Sequence, residues 1–163
     1  MIAQQVQAVV VAWQVYDLTR EPLALAYVGL AQFIPMLLLL LPAGDLIDRF
    51  SRKPILAASW AVSAACSLAL WWLSGHGSAG VTGIYAVLVV FGCSRAFSGP
   101  ALQSLLPQIV PREELSRAIA AQSMLLRVAA IAGPVLGGAL YALGGAALTY
   151  AMCLLGFALG AAL

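Results

Sequence analysis

Charge is scarce in this sequence. Its 163 residues include eight lysines and arginines and six aspartates and glutamates, 9% charged in all, where soluble domains carry roughly 25%. A chain that is 63% hydrophobic, with a mean hydropathy of +1.00, cannot cover a globule with polar surface, so the solvent that fits it is lipid. Cysteine is scarce too: Cys66, Cys93 and Cys153 lie far apart in apolar runs, with no CxxC spacing. They read as small buried apolar residues, and a disulfide framework or a zinc site is excluded. The net charge of +2 is too small to recruit nucleic acid. No glycine run matches GxxxxGK[ST], which removes ATP-driven transport by this chain, and nothing calls for a cofactor. The opening MIAQQVQAVVVAW has no lysine or arginine ahead of its apolar run and lacks the form of a secretory signal peptide.

What is present is a series of long uncharged runs. A helix needs about 20 apolar residues to cross a hydrocarbon core ~30 Å thick. Residues 23–43 form one such run, and 54–94, too long for one helix, is divided at 74-SGHGSAG-80 into spans near 54–74 and 81–106. His76 is a solvated residue of that break. Beyond 107-PQIVPREELSR-117 the pattern predicts spans near 118–142 and 146–163, divided at Gly144-Gly145, and residues 2–18 make a shorter apolar segment. The runs are too continuous for barrel strands, so the expected fold is an all-α bundle of six transmembrane helices in a single unit over 1–163. Pro35, Pro100 and Pro134 are expected to bend helices. The chain opens and stops inside helices, which reads as a fragment of a longer transporter or a half that dimerises.

The stretch 44-GDLIDRFSRK-53 holds Asp45, Asp48, Arg49, Arg52 and Lys53, five of the chain's charges in ten residues. With Arg112 and Arg117 after the fourth span, against Arg20 alone on the other side, the positive-inside rule places the loops 44–53 and 107–117 in the cytoplasm. The cations alone make a membrane anchor. Asp45 and Asp48 do not serve that purpose, and the spacing allows a carboxylate–guanidinium network of Asp48 with Arg49 and Arg52, the kind of latch a two-state gate uses.

This segment resembles the loop signature of the major facilitator superfamily, G-x-L-x-D-R-x-G-R-[KR]-x-x-L. Gly44, Leu46, Asp48, Arg49, Arg52, Lys53 and Leu56 fall in register, with Ser51 where the family has glycine. Arg95 and Gly99 resemble the family's R-x-x-x-G pattern on the fourth helix. The element 133-GPVLGG-138 is similar to the G-P-x-x-G-G of drug antiporters, with Ala129 where a glycine is often found. The connection 106-LPQIVPREELSRAIA-120 looks like that of the efflux group that includes macrolide and siderophore exporters. The resemblance implies the first six helices of a twelve-helix carrier, arranged as two inverted three-helix repeats in the cell membrane. It also implies a second six-helix half as partner and a small amphipathic cargo exported in exchange for protons. It gives Arg95 a part in proton-linked conformational change, and it makes the kink at Gly133, Pro134, Gly137 and Gly138 a barrier to leak.

The polar residues at membrane depth carry the remaining readings. Arg95 lies midway along its span, where an arginine needs a cavity or a partner; Arg127, about ten residues into the next, either functions or snorkels. Gln7, Gln14 and Asp17 share one helical face and either line a central cavity or bridge helices, and Asp17 is the nearest carboxylate available for proton coupling. Gln32, Gln103, Gln122 and Ser123 are further lining candidates. Gly133, Gly137 and Gly138 equally fit plain helix packing. Trp71 and Trp72, near a span end, fit an interfacial belt. Beside the carrier stand two other readings: a truncated half inactive on its own, and an intramembrane enzyme with Asp45 and Asp48 on a divalent metal. Two carboxylates are too few oxygen ligands for a hard cation, so the chain is read as no enzyme and no metalloprotein.

Overall fold

A computed structural model describes residues 1–76, 80–111 and 113–162, apart from the side chains of Asp48 and His76. Arg112 and the readings that rest on those two side chains lie outside the described residues. The described elements are all helices: α1 (Ile2–Thr19), α2 (Pro22–Arg49), α3 (Arg52–His76), α4 (Val81–Ile109) and α5 (Leu115–Ala162). Six separate helices are thus corrected to five, because no loop divides the last two: α5 runs for 48 residues through Gly144 and Gly145.

The backbone is non-helical at Gly144 (φ −145°, ψ 15°) and Gly145 (φ 67°, ψ −167°), and there α5 turns back on itself. Before the break, Gly133 packs on Gln5, Gly137 on Val6 and Val9, and Tyr141 bonds Asp17, so the limb 115–143 runs parallel to α1. After it, Tyr150 bonds Gln14 while Cys153 and Gly156 meet Ala3, so the limb 146–162 runs antiparallel. Four of the helices, α2 to α5, are long and apolar enough to cross a membrane. The exception is α1, which is short (18 residues) and carries Gln4, Gln5, Gln7, Gln14 and Asp17. Its neighbours in the bundle bond Gln7 Oε1, Gln14 and Asp17, which lipid could not.

Contacts along α2 and α4 pair Ala24 with Tyr85, Gln32 with Gly92, and Ile47 with Ala101, so these helices are parallel. The α2–α3 and α4–α5 connections therefore emerge at one end of the bundle, and the α1–α2 junction at the other. The large core cluster joins Val6, Val10, Val11 and Val15 of α1 to Leu70, Ile84, Leu88, Phe91, Tyr150 and Phe157. Apolar side chains also crowd the outside, with Leu41 85% and Leu143 82% exposed, as lipid permits. Because lipid exerts no hydrophobic squeeze between helices, specificity falls to close packing and interhelical hydrogen bonds.

Serines supply those bonds. Ser59, Ser63 and Ser67 stand at four-residue intervals on α3, each donating to the carbonyl one turn back. That disposes of hydroxyls otherwise orphaned in lipid. Ser94 of α4 donates to the Ser59 carbonyl at 2.6 Å and shares a 2.9 Å hydroxyl contact with Ser63. Ser67 donates to Gln7 Oε1 at 2.7 Å, tying α3 to α1.

Candidate functional site

The charged stretch is not a loop. α2 continues to Arg49 and α3 starts at Arg52, so Phe50 and Ser51 are the only residues between them. The expected loop at 44–53 is corrected to two helix ends, because Gly44 to Arg49 simply complete α2's last turns. The loop 107–117 likewise shrinks to 110–114. Asp45 is a described partner of Arg49, with Oδ1 accepting from Nε at 3.0 Å. Both side chains are about two-thirds exposed, so the pair contributes only about 0.3–0.5 kcal/mol. Arg52 Nε is buried without a hydrogen-bond partner. Ser51 in place of glycine costs nothing: Arg20, which closes α1, is the one described non-glycine residue with positive φ. The tight link therefore requires no left-handed residue.

The α1 stripe points between helices. Gln7 is fully buried, its Oε1 taken by Ser67 and its Nε2 left without a partner. Gln14 donates to Ser74 at 2.8 Å and accepts from Tyr150 at 2.6 Å, joining α1, α3 and the second limb of α5. Asp17 accepts from Tyr141 at 2.6 Å at the exposed end of the same helix, and Trp13 lies 6.3 Å from the Tyr141 ring. An unsatisfied buried donor costs ~1–3 kcal/mol. Gln7→Met removes that donor at nearly equal volume and leaves Ser67 its bond to the Ser63 carbonyl at 3.1 Å. Thermal unfolding in detergent is therefore expected to show stability unchanged or raised by up to about 1 kcal/mol, and a clear loss would reveal a partner for Nε2.

A cavity of ≈ 380 Å³ opens between α1, α2, α4 and the first limb of α5. Its wall includes Gln4, Met36, Arg95, Ser98, Gly99, Gln103 and Gln122. The structure thus gathers Arg95, Gln103 and Gln122 at one place and adds Gln4, which sequence reasoning missed. A sign was available: Gln4 lies three residues before Gln7, about 60° round the helix, and so belongs to the same polar stripe. Arg95 is partly buried, and no described carboxylate lies within ion-pair distance of it. A Cβ on Gly99, one turn along, would meet nothing within 4 Å. Gln32 is buried outside this wall and donates to the Val28 carbonyl of its own helix. Ser123 and Arg127 are exposed and line no part of the cavity.

In 133–138, Gly133 and Gly137 are the buried pair. A Cβ on Gly137 would stand 3.2 Å from the Val6 carbonyl oxygen, and one on Gly133 would strike the Gln5 side chain. Gly138 has open space around it, and Pro134 is exposed within the helix. The spacing of four places both contact glycines on the face toward α1. The three thiols are free, with Cys66 and Cys153 buried.

An apolar helical bundle, polar only between its helices and along one cavity, defines a multi-pass membrane protein. Residues 2–162 match the model of the transmembrane secretion effector family, and the chain belongs to that family, within the major facilitator superfamily. It is 24% identical over 141 residues to macrolide efflux protein A of Streptococcus pyogenes, covering 86% of this chain and 35% of that protein. Macrolide efflux protein A of Enterococcus faecalis is 27% identical over 113 residues, 69% of this chain and 35% of that one. An uncharacterised MFS-type transporter of Bacillus subtilis is 27% identical over 127 residues, 78% and 29% of the respective chains. The chain spans about a third of the length of the curated relatives it matches. No solved structure matches it.

Proposed function

We propose that the chain forms the first half of a secondary carrier that exports a small amphipathic compound by alternating access. In this reading α1 to α4 and the two limbs of α5 make six crossings of the cell membrane, built as two inverted three-helix repeats. A second six-helix half closes the cavity from the far side. The end bearing Arg49, Arg52, Lys53 and Arg117 faces the cytoplasm, where basic residues are retained. Protons drive the exchange. The cavity carries the reading: polar side chains from separate helices converge on one space, while Gln7 and Gln14 are bonded between helices elsewhere in the bundle. A weak Asp45–Arg49 pair at the cytoplasmic end and the two-residue link beside it suit an element that must part and re-form in each cycle. Gly133 and Gly137, pressed on α1, hold the wall that the kink at Pro134 would otherwise loosen.

The test is cargo accumulation in cells that express the full reading frame carrying this chain. Cells with the wild-type protein are expected to retain several-fold less of an exported amphipathic compound than cells without it. Asp48→Asn, at equal membrane expression, is expected to remove most of that difference. Equal accumulation with and without the protein across amphipathic compounds would end the export reading.

A further inference from the structure

We infer that the cavity is an anion site: it takes amphipathic compounds that carry a carboxylate or similar oxyanion, held by the Arg95 guanidinium. This rests on the carrier reading and names its substrate class. The charge inventory leads there. Arg95 is the one charged side chain on the cavity wall; Gln4, Ser98, Gln103 and Gln122 are neutral, and the terminal ammonium of Met1, which also lines the cavity, is a second cation rather than a counter-charge. The described acids are committed or distant. Asp17 is bonded to Tyr141, Asp45 is paired with Arg49, Glu21 precedes α2, and Glu113 and Glu114 lie in the α4–α5 connection.

A cation at this depth is costly without a counter-charge or water, and nothing on its own wall supplies the counter-charge. Guanidinium is suited to oxyanions because its planar fork donates two parallel bonds to a carboxylate, which a point charge cannot match. The glutamine amides offer neutral donors and acceptors to the rest of the molecule, Met36 and Leu126 offer apolar surface, and bare Gly99 leaves room one turn from the charge. A cationic amphiphile of the same shape meets an uncompensated like charge instead. The oxyanion could also come from a carboxylate of the second half, and the probes separate the two sources.

The experiment measures equilibrium binding to the purified full-length carrier in phosphatidylcholine nanodiscs. Three fluorescent probes of one shape are compared: pyrenebutyrate, pyrenebutanol and pyrenebutylamine, each corrected with empty discs. Wild type is expected to bind the carboxylate at least about tenfold tighter than the amine, the worth of one charge-assisted contact. Arg95→Gln should erase that preference, and Arg95→Lys should keep part of it. No preference in the wild type, or a preference for the amine, overturns the proposal and points to a carboxylate of the second half on Arg95. An equal weakening of all three probes by Arg95→Gln also overturns it, because the arginine then serves packing or gating. Should Arg95→Gln fail to fold, the wild-type ranking and Arg95→Lys still decide. Export of a macrolide by cells whose carrier shows no carboxylate preference would sink this inference and leave the carrier reading standing.

Discussion

Leucine in place of Gly92 is expected to abolish the contact between α2 and α4 and, with it, the recovery of folded protein. Gly92 is buried where α4 meets α2 beside the in-helix Pro35. A Cβ built there would stand 2.9 Å from Pro35 Cγ and still closer to the carbonyl oxygen of Gln32. One obstacle is main chain and the other is a closed ring, and neither can swing aside as a flexible side chain does. Overpacking a well-filled site ordinarily costs ~1–3 kcal/mol, and with a rigid obstacle at least about 3 kcal/mol is expected here. Pro35 makes the approach unforgiving: its ring stands on the face toward Gly92 in place of a flexible side chain. Gly99→Ala, seven residues on in the same helix, provides the control, since its added Cβ meets nothing. Thermal unfolding and detergent-soluble yield should separate the two variants sharply, with Gly99→Ala indistinguishable from wild type. If Gly92→Leu melted like wild type, the α2–α4 contact would have to lie elsewhere on these helices.

How far such contacts can be read from sequence depends on which solvent surrounds the helix. Span positions were legible, since freedom from charge over about 20 residues is a composition signal, and the observed helices overlap every expected span. The glycine pair at 144–145 was legible as a division, yet not as a turn without a loop: two residues suffice to reverse the chain when one of them takes a conformation closed to other residues. Helix facing was not legible. In water, an apolar stripe marks the buried side, but a helix flanked by lipid and by protein is apolar all round, and the stripe vanishes. Gly92 and the α3 serines therefore gave no signal, although they decide which faces meet. The glutamines illustrate the same limit: Gln7 and Gln103 look equivalent in an apolar run, and one is bonded between helices while the other lines a cavity. Signature residues at the α2–α3 junction were recognisable as a group. The Asp45–Arg49 pair was not, because only the helical continuation of α2 puts Asp45 in the i, i+4 position that favours an acid preceding a base.

Alanine at Gly145 is expected to lower the stability of the bundle for a reason unrelated to crowding. No heavy atom lies within 4 Å of where its Cβ would be, so volume is irrelevant. The cost comes from the backbone: φ 67° with ψ −167° is a region essentially reserved to glycine, and holding another residue there costs about 1–3 kcal/mol. Relief by relaxing to helical dihedrals is blocked by length. A straight helix of 48 residues would reach ~70 Å, more than twice a hydrocarbon core of ~30 Å. Straightening would also carry Tyr150 away from Gln14 and Cys153 away from Ala3, losing the buried side of the second limb. The strain must therefore be borne in the folded state. Gly138→Ala supplies the comparison, with the same added atom, the same open space and helical backbone. Unfolding midpoints should fall for position 145 and stay level for position 138. Equal midpoints would mean that the chain reverses by some other conformation than the one at Gly145.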